Sequence, residues 1–264
     1  MAERIDDIGF GGLRLIQEPD EFCYGVDAVI LADFAAKNFS GGNGVIVDLG
    51  TGTGIVPLIL SAKTDARLIA GVELQRGSYE RAVRNAEMNG LSERLSFFNA
   101  DVKNLFIGGV KTAENAEKTP KTGIYDAAAV KALKGQVDAV TMNPPYMPNS
   151  GGITNANTAK AIARHETTAS LWDFLACASA LLKPKGDLFM VHRPSRLADI
   201  CCFARENRLE PKQLCFVSPN VKKAPNIVLV HCVKDGGREL KLLDPLFVYN
   251  EDGGYTDELR KCYI

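Results

Sequence analysis

The sequence predicts an α/β fold: a three-layer sandwich around a seven-stranded, mostly parallel sheet that closes with a C-terminal antiparallel hairpin. Three observations predict it. Short apolar runs alternate with helix-length stretches between Val45 and His192, the rhythm that places helices on both faces of a parallel sheet. The first run, Val45-Ile46-Val47-Asp48-Leu49, passes directly into Gly50-Thr51-Gly52-Thr53-Gly54 and a helical stretch, giving a strand, glycine loop and helix of nucleotide-binding type. Near the end, two apolar stretches at 213–217 and 227–233 flank the polar segment 218–226, as antiparallel neighbours do.

The totals bound the function. The 264 residues suffice for a full core. The 31 Lys plus Arg nearly cancel the 32 Asp plus Glu, so global charge favours neither nucleic acid nor membrane, and a basic surface would have to be local. Seven cysteines, an odd number with Cys201 and Cys202 adjacent and no Cys-x-x-Cys pair, suggest neither a disulfide framework nor a zinc site. The start Met1-Ala2-Glu3-Arg4-Ile5 has no apolar signal core, and no run approaches the roughly 20 apolar residues of a membrane span. A soluble, cytoplasmic protein that binds no metal is expected.

In chain order, Leu13-Arg14-Leu15-Ile16 alternates as one strand of an N-terminal hairpin, and Asp27 is placed to cap an apolar helix running to about Phe39. Residues 1–44 are expected to form a cap on a single domain whose cofactor-binding part spans 45–264. After the glycine loop a helix is expected from Ile55 to Lys63. The strand Leu68-Ile69-Ala70-Gly71-Val72-Glu73 follows, ending in an acid about 20 residues past the loop, where a carboxylate can accept both hydroxyl protons of a ribose. A helix over 76–89 stops at Asn89-Gly90, and Leu95-Ser96-Phe97-Phe98-Asn99 forms the third strand. Asp101, just beyond it, suits either an adenine amino group or a helix cap.

Residues 108–136 break the rhythm and read as a surface loop with one helical turn at 127–133. Lys111, Lys118, Lys121, Lys131 and Lys134 could meet phosphates there, but acids are mixed among them. The short strand Val137-Asp138-Ala139-Val140-Thr141-Met142 ends where Pro144 and Pro145 forbid further ladder bonds. A Gly, Asn and Ser-rich loop over 147–157 follows, then Arg164-His165-Glu166, where His165 has no partner at ligand spacing. A helix at 171–182, a turn Lys183-Pro184-Lys185-Gly186, a strand at 187–192 and a helix at 194–207 complete the alternation. Lys222-Lys223 in the hairpin is a candidate phosphate contact. Stretches 240–243 and 246–249 suit short edge strands before a polar end.

The chemistry concentrates at Asn143-Pro144-Pro145-Tyr146, which a strand's C-terminal end would deliver to the crevice of an open α/β sheet. The loop is Gly-x-Gly-x-Gly, whereas a dinucleotide fingerprint has Gly-x-Gly-x-x-Gly and seats a pyrophosphate. S-adenosylmethionine has no phosphate. Gly50, Thr51, Gly52 and Gly54 would pass beneath its amino-acid part, and Asp48 would orient the loop or its waters. Glu73, with Leu74 after it, would hold the ribose side, Asp101 and Val102 the adenine, and Asn143 would border the cofactor as well as the substrate.

This set resembles class I methyltransferases of Rossmann-like fold, and Asn143-Pro144-Pro145-Tyr146 is similar to the motif of those acting on planar amino groups. An adenine amino nitrogen is a poor nucleophile because its lone pair is delocalised into the ring. If the Asn143 side-chain oxygen and the Pro144 carbonyl accept its two hydrogens, the nitrogen can pyramidalise toward the methyl donor, with Tyr146 stacked on the base and Pro145 fixing the turn. Tyr24-Gly25-Val26-Asp27-Ala28-Val29-Ile30-Leu31-Ala32, Ala163-Arg164-His165-Glu166, Met190-Val191-His192-Arg193-Pro194, Val248-Tyr249 and Asp252-Gly253-Gly254-Tyr255-Thr256-Asp257 extend the resemblance to the bacterial tRNA(Val) adenine-37 N6-methyltransferase family. That resemblance implies methylation of N6 of the adenine beside the anticodon, a tRNA partner, and Tyr24, Gly25 and Asp27 near the methionine part of the cofactor. A protein glutamine methyltransferase, a DNA adenine methyltransferase and a cofactor-binding adaptor without catalysis are the alternatives.

Overall fold

A computed structural model describes residues 3–18, 24–106, 126–145 and 169–264. Tyr146, the 147–157 loop, Arg164-His165-Glu166 and Lys111, Lys118 and Lys121 lie outside the described residues. The chain begins with an antiparallel hairpin, β1 (Arg4–Asp7) and β2 (Arg14–Gln17), followed by α1 (Val26–Asn38). Alternation then runs β3 (Val45–Leu49), α2 (Ile55–Lys63), β4 (Leu68–Glu73), α3 (Arg76–Met88) and β5 (Leu95–Asn99), then α4 (Ala127–Ala132), β6 (Val137–Met142), α5 (Leu171–Leu181) and β7 (Leu182–His192). The chain closes with α6 (Leu197–Glu206), β8 (Leu209–Ser218), β9 (Ile227–Lys234), β10 (Lys241–Leu242), β11 (Leu246–Phe247) and α7 (Asp257–Lys261).

The sheet order is β5-β4-β3-β6-β7-β9-β8, with β10 and β11 one after the other along the outer edge of β8. Strands β3 to β7 are mutually parallel and β9 alone runs antiparallel. The strands are apolar on both sides because both sides are covered: in β3, Ile46 packs with α1 and α2, while Val45, Val47 and Leu49 pack with α5. Order reverses between β3 and β6, and an open α/β sheet binds ligands at the carboxyl ends of strands beside such a switch.

Beside the seven principal strands, the edge strands expected at 240–243 and 246–249 are the two-residue β10 and β11, making nine strands among the described residues. Two expectations are corrected. The Lys183-Pro184-Lys185-Gly186 turn does not precede its strand; it bulges out of it. Register jumps from Val137 opposite Leu182 to Ala139 opposite Asp187, with Lys185 at φ +65° and Lys183 bonded to Asp138. Asp27 is not the cap of α1. Gly25 holds that position with extended backbone, and Asp27 sits in the first turn. The polar end carries α7, where the Thr256 hydroxyl accepts from the Leu259 amide and Leu259 is fully buried.

Candidate active site

The glycine loop has the shape its sequence demands. Gly50, Gly52 and Gly54 have φ of +72°, +57° and +85°, a region that L side chains rarely enter. A Cβ on Gly54 would lie 2.9 Å from the Phe97 ring, so this glycine also serves packing, whereas one on Gly52 would meet nothing within 4 Å. Gly50 and Thr51 donate backbone N–H bonds to the Val72 carbonyl at 2.9 and 3.1 Å, which holds the loop against the end of β4. Gly71 in β4 was not singled out by the sequence reading, yet a Cβ there would lie 2.6 Å from Phe97 and 2.7 Å from the Thr51 methyl.

Glu73 ends β4 under this loop and is 7% exposed. Its Oε2 accepts from Gly52 N at 2.9 Å and its Oε1 from Gln75 N at 2.7 Å. Burial, partly offset by these amides, raises its carboxyl above the usual range. A carboxylate has about four acceptor positions, so each oxygen has capacity for one more donor, the pattern a ribose diol requires. Leu74 follows with 37% exposure, an apolar side chain at the crevice. Behind it, buried Asn99 donates to the carbonyls of Glu73 and Leu74, fixing this turn against β5. Asp101 accepts from Lys103 N at 2.9 Å and caps a short 3₁₀ turn beginning at Val102, which is buried.

One strand across, Asp48 of β3 accepts a hydrogen bond from the Thr141 hydroxyl of β6 at 2.7 Å. It is 2% exposed, and burial, with a smaller push from the charge of Glu73, raises its carboxyl to about 7. Two residues beyond Thr141 the strand delivers Asn143, half-buried, then Pro144, buried, and Pro145, exposed. The Asn143 Nδ2 donates to Asp27 Oδ2 at 3.3 Å, while Asp27 Oδ1 accepts from Ala28 N at 3.0 Å. Thus Asp27, Asp48, Asn143, Glu73 and the loop gather at one sheet edge, from segments spread over 116 residues of chain between Asp27 and Asn143.

The approach to α1 is set from the hairpin. Tyr24, half-buried, donates its backbone N–H to Gln17 Oε1 at 3.1 Å, and Gln17 donates to Asp6 at 2.6 Å. Two residues that sequence reasoning missed hold the hairpin to α3. Asn85, fully buried, accepts from Ile16 N at 2.7 Å and donates to the Thr53 carbonyl of the glycine loop at 2.9 Å, and Asn89 both accepts from and donates to the backbone of Arg14. Their four-residue spacing on a helix face was the available signal. His192 accepts from Arg193 N, and burial lowers its imidazole to about 4, so it is a neutral, inward-facing group. Among the described residues no group of three or more metal-ligating side chains gathers, and no helix is long and apolar enough to cross a membrane.

Solved structures share this architecture. A chain from Agrobacterium tumefaciens described as a predicted O-methyltransferase matches with a TM-score of 0.65 at 21% identity, over 90% of this chain and 95% of that one. TYW2 from M. jannaschii, in complex with AdoMet, matches with a TM-score of 0.52 at 15% identity, over 88% of this chain and 84% of its own. The fold is that of the class I methyltransferases. Within it, the glycine loop follows the first strand of the parallel set and Asn143 follows the fourth. No family model matches the chain. Curated relatives nevertheless bear out the resemblance in the sequence. A tRNA1(Val) (adenine(37)-N6)-methyltransferase of Porphyromonas gingivalis is 27% identical over 207 residues, 78% of this chain and 72% of that protein. One of the same name from Aeromonas hydrophila is 26% identical over 215 residues, 80% of this chain and 77% of its own.

Proposed function

We propose that the protein transfers a methyl group from S-adenosylmethionine to N6 of an adenine in tRNA, the adenine at position 37 beside the anticodon of tRNA(Val). The observation that carries this reading is the placement of Asn143-Pro144 at the end of β6, next to the strand that carries the glycine loop, with the Asn143 amide nitrogen turned to Asp27. The relatives' shared name supports the substrate, and the methyltransferase fold supports the cofactor.

The residues present fit that cofactor. Glu73 has acceptor capacity for a ribose, Gly52 leaves room for close approach, and Leu74 with Val102 offers apolar contact to an adenine. Tyr24, Gly25 and Asp27 would border the amino-acid part, with the loop residues Gly50, Thr51 and Gly54 shaping its floor and Asp48 bracing the loop from below. Asp101 would accept from the cofactor's adenine amino group. When bound, S-adenosylmethionine supplies an electrophilic methyl group. Asp27 is an acceptor only, so it fixes which end of the Asn143 amide is nitrogen, and the oxygen is the end a substrate amine would meet. That oxygen and the Pro144 carbonyl would accept the two amino hydrogens of the target base and stabilise the positive charge that develops on its nitrogen. Pro145 restricts the turn, and Tyr146 would stack on the base. The test is incubation with labelled cofactor and separate pools of tRNA, DNA and protein, followed by nucleoside mapping. Label in N6-methyladenosine of tRNA is the expected result; label in glutamine or in DNA would replace the substrate assignment.

A further inference from the structure

We propose that the tip of the β8–β9 hairpin and the Tyr249–Tyr255 pair form a docking surface for the single-stranded nucleotides that flank the target base, a surface that rests on the tRNA reading above. β8 ends, and β9 begins, at the same sheet edge as β6, because β8 is parallel to β7 and β7 to β6. The connecting residues 221–226 are all exposed. Val221, 64% exposed, stands at the tip beside Lys222 and Lys223, and Arg193, exposed at the end of β7, donates to the Asn226 carbonyl at 3.0 Å. Strands lie about 4.8 Å apart, so three steps from β6 to β8 separate this basic tip from Asn143 by roughly 15 Å, a few nucleotides of single strand.

Beside it, residues 248–256 double back as a small hairpin in which Tyr249 faces Tyr255 across a single bridge. Their ring centroids are 5.5 Å apart, and the two side chains remain 40% and 37% exposed. Tyr255 in turn stacks on Tyr263 at 6.2 Å, and lies within electrostatic reach of Tyr24, next to the first turn of α1. The two rings, paired with each other and partly in water, belong to neither core cluster, and aromatic faces of this kind are sequence-tolerant platforms for unpaired bases. The charges orient the strand. Glu251 and Asp252 repel a phosphate chain from the turn itself, so the chain would pass on the Lys222, Lys223 and Arg193 side with bases toward the tyrosines. Lys222 sits 3.6 Å from Glu251 in a pair 77% and 81% exposed, a contact weak enough to yield to a phosphate.

The experiment uses the full chain, with a fluorescent anticodon stem–loop RNA read by anisotropy across a salt series and with cofactor affinity measured in parallel. Combined Tyr249→Ala and Tyr255→Ala should weaken RNA binding about tenfold, while the two Phe replacements stay within about twofold of the parent. Combined Lys222→Ala and Lys223→Ala should reduce the slope of log affinity against log salt by roughly 0.7 per lysine. Cofactor affinity should not move in any variant. Unchanged RNA affinity and salt slope in an RNA-binding parent overturn the proposal and leave the tRNA reading standing; a parent that neither binds nor methylates RNA overturns that reading. If the tyrosine variant fails to fold, the exposed lysine pair decides. A parent dimer that the tyrosine variant dissociates, with RNA binding intact, would assign the patch to self-association and overturn RNA docking.

Discussion

Asn143 is proposed to touch the substrate amine, whereas the glycine loop under the cofactor is held by Val72, Glu73 and Asn85. Asn143→Ala should therefore leave S-adenosylmethionine affinity within about threefold of the parent by calorimetry. Turnover should fall by roughly 10²- to 10³-fold, the size of losing one preorganised acceptor at a developing charge. Equal loss of both would make Asn143 a cofactor or folding residue. Asp48 gives a pH prediction of definite sign. Its carboxyl is raised from 3.8 to about 7, chiefly by burial. Below about pH 4 both folded and unfolded chains carry the proton and the stabilising contribution is complete; as pH rises toward 7 only the unfolded chain releases it, so stability declines and then levels off. Asp48→Asn keeps an acceptor for Thr141 and cannot ionise. Between about pH 5 and about pH 8 the parent should lose roughly 3 kcal/mol relative to this variant in urea unfolding, and parallel curves would show that Asp48 is not buried as a neutral acid.

At the scale of elements, α3 is more than a packing helix. Asn85 satisfies the backbone of β2 and of the glycine loop at once, and Asn85→Ala strands the buried Ile16 N–H and the partly buried Thr53 carbonyl. A loss of about 2–3 kcal/mol is expected, seen as a lower denaturant midpoint with unchanged slope, together with weaker cofactor binding because Thr53 belongs to the loop. Asn89→Ala, at the exposed end of the same ladder, should cost less. The strands of the parallel sheet were legible because each is a short, largely apolar run, buried on both faces in β3, β4 and β6 and on alternate residues in the edge strand β5, and all four fall at the expected residues. Asn85 was not, since a polar residue in a helix reads as solvated until its partner is known to be a strand edge. The Asp27 cap failed for a related reason: Asp is a common cap, but Gly25 already supplies the extended backbone, and the carboxylate is drawn to Asn143 from another strand. α7 had a local signal, Thr256 followed by Asp257 and Glu258, that five residues were too few to make persuasive.

Across the whole molecule, the reversal of strand order between β3 and β6 is what turns separate motifs into one crevice. Glu73, the loop and Asn143 each end a different strand, and in chain order β4 and β5 would lie between the loop of β3 and Asn143 of β6. A ligand in that crevice would tie β3, β4 and β6 together with α1, so its binding should be felt as global stability. At a cofactor concentration about 100 times the dissociation constant, linkage contributes roughly 2.7 kcal/mol. With an unfolding entropy of about 2.1 cal/mol/K per residue, the 264-residue chain should melt about 5 °C higher. Glu73→Ala, which removes the proposed ribose acceptor, should weaken binding by about 2 kcal/mol, roughly 30-fold, and shrink the rise at the same concentration to about 1–2 °C. Because Glu73 also accepts from Gly52 and Gln75, the variant's melting point without cofactor will drop; the diagnostic is the cofactor-dependent increment. An increment equal to the parent's would place the ribose away from Glu73 and break the link between the carboxyl end of β4 and the cofactor.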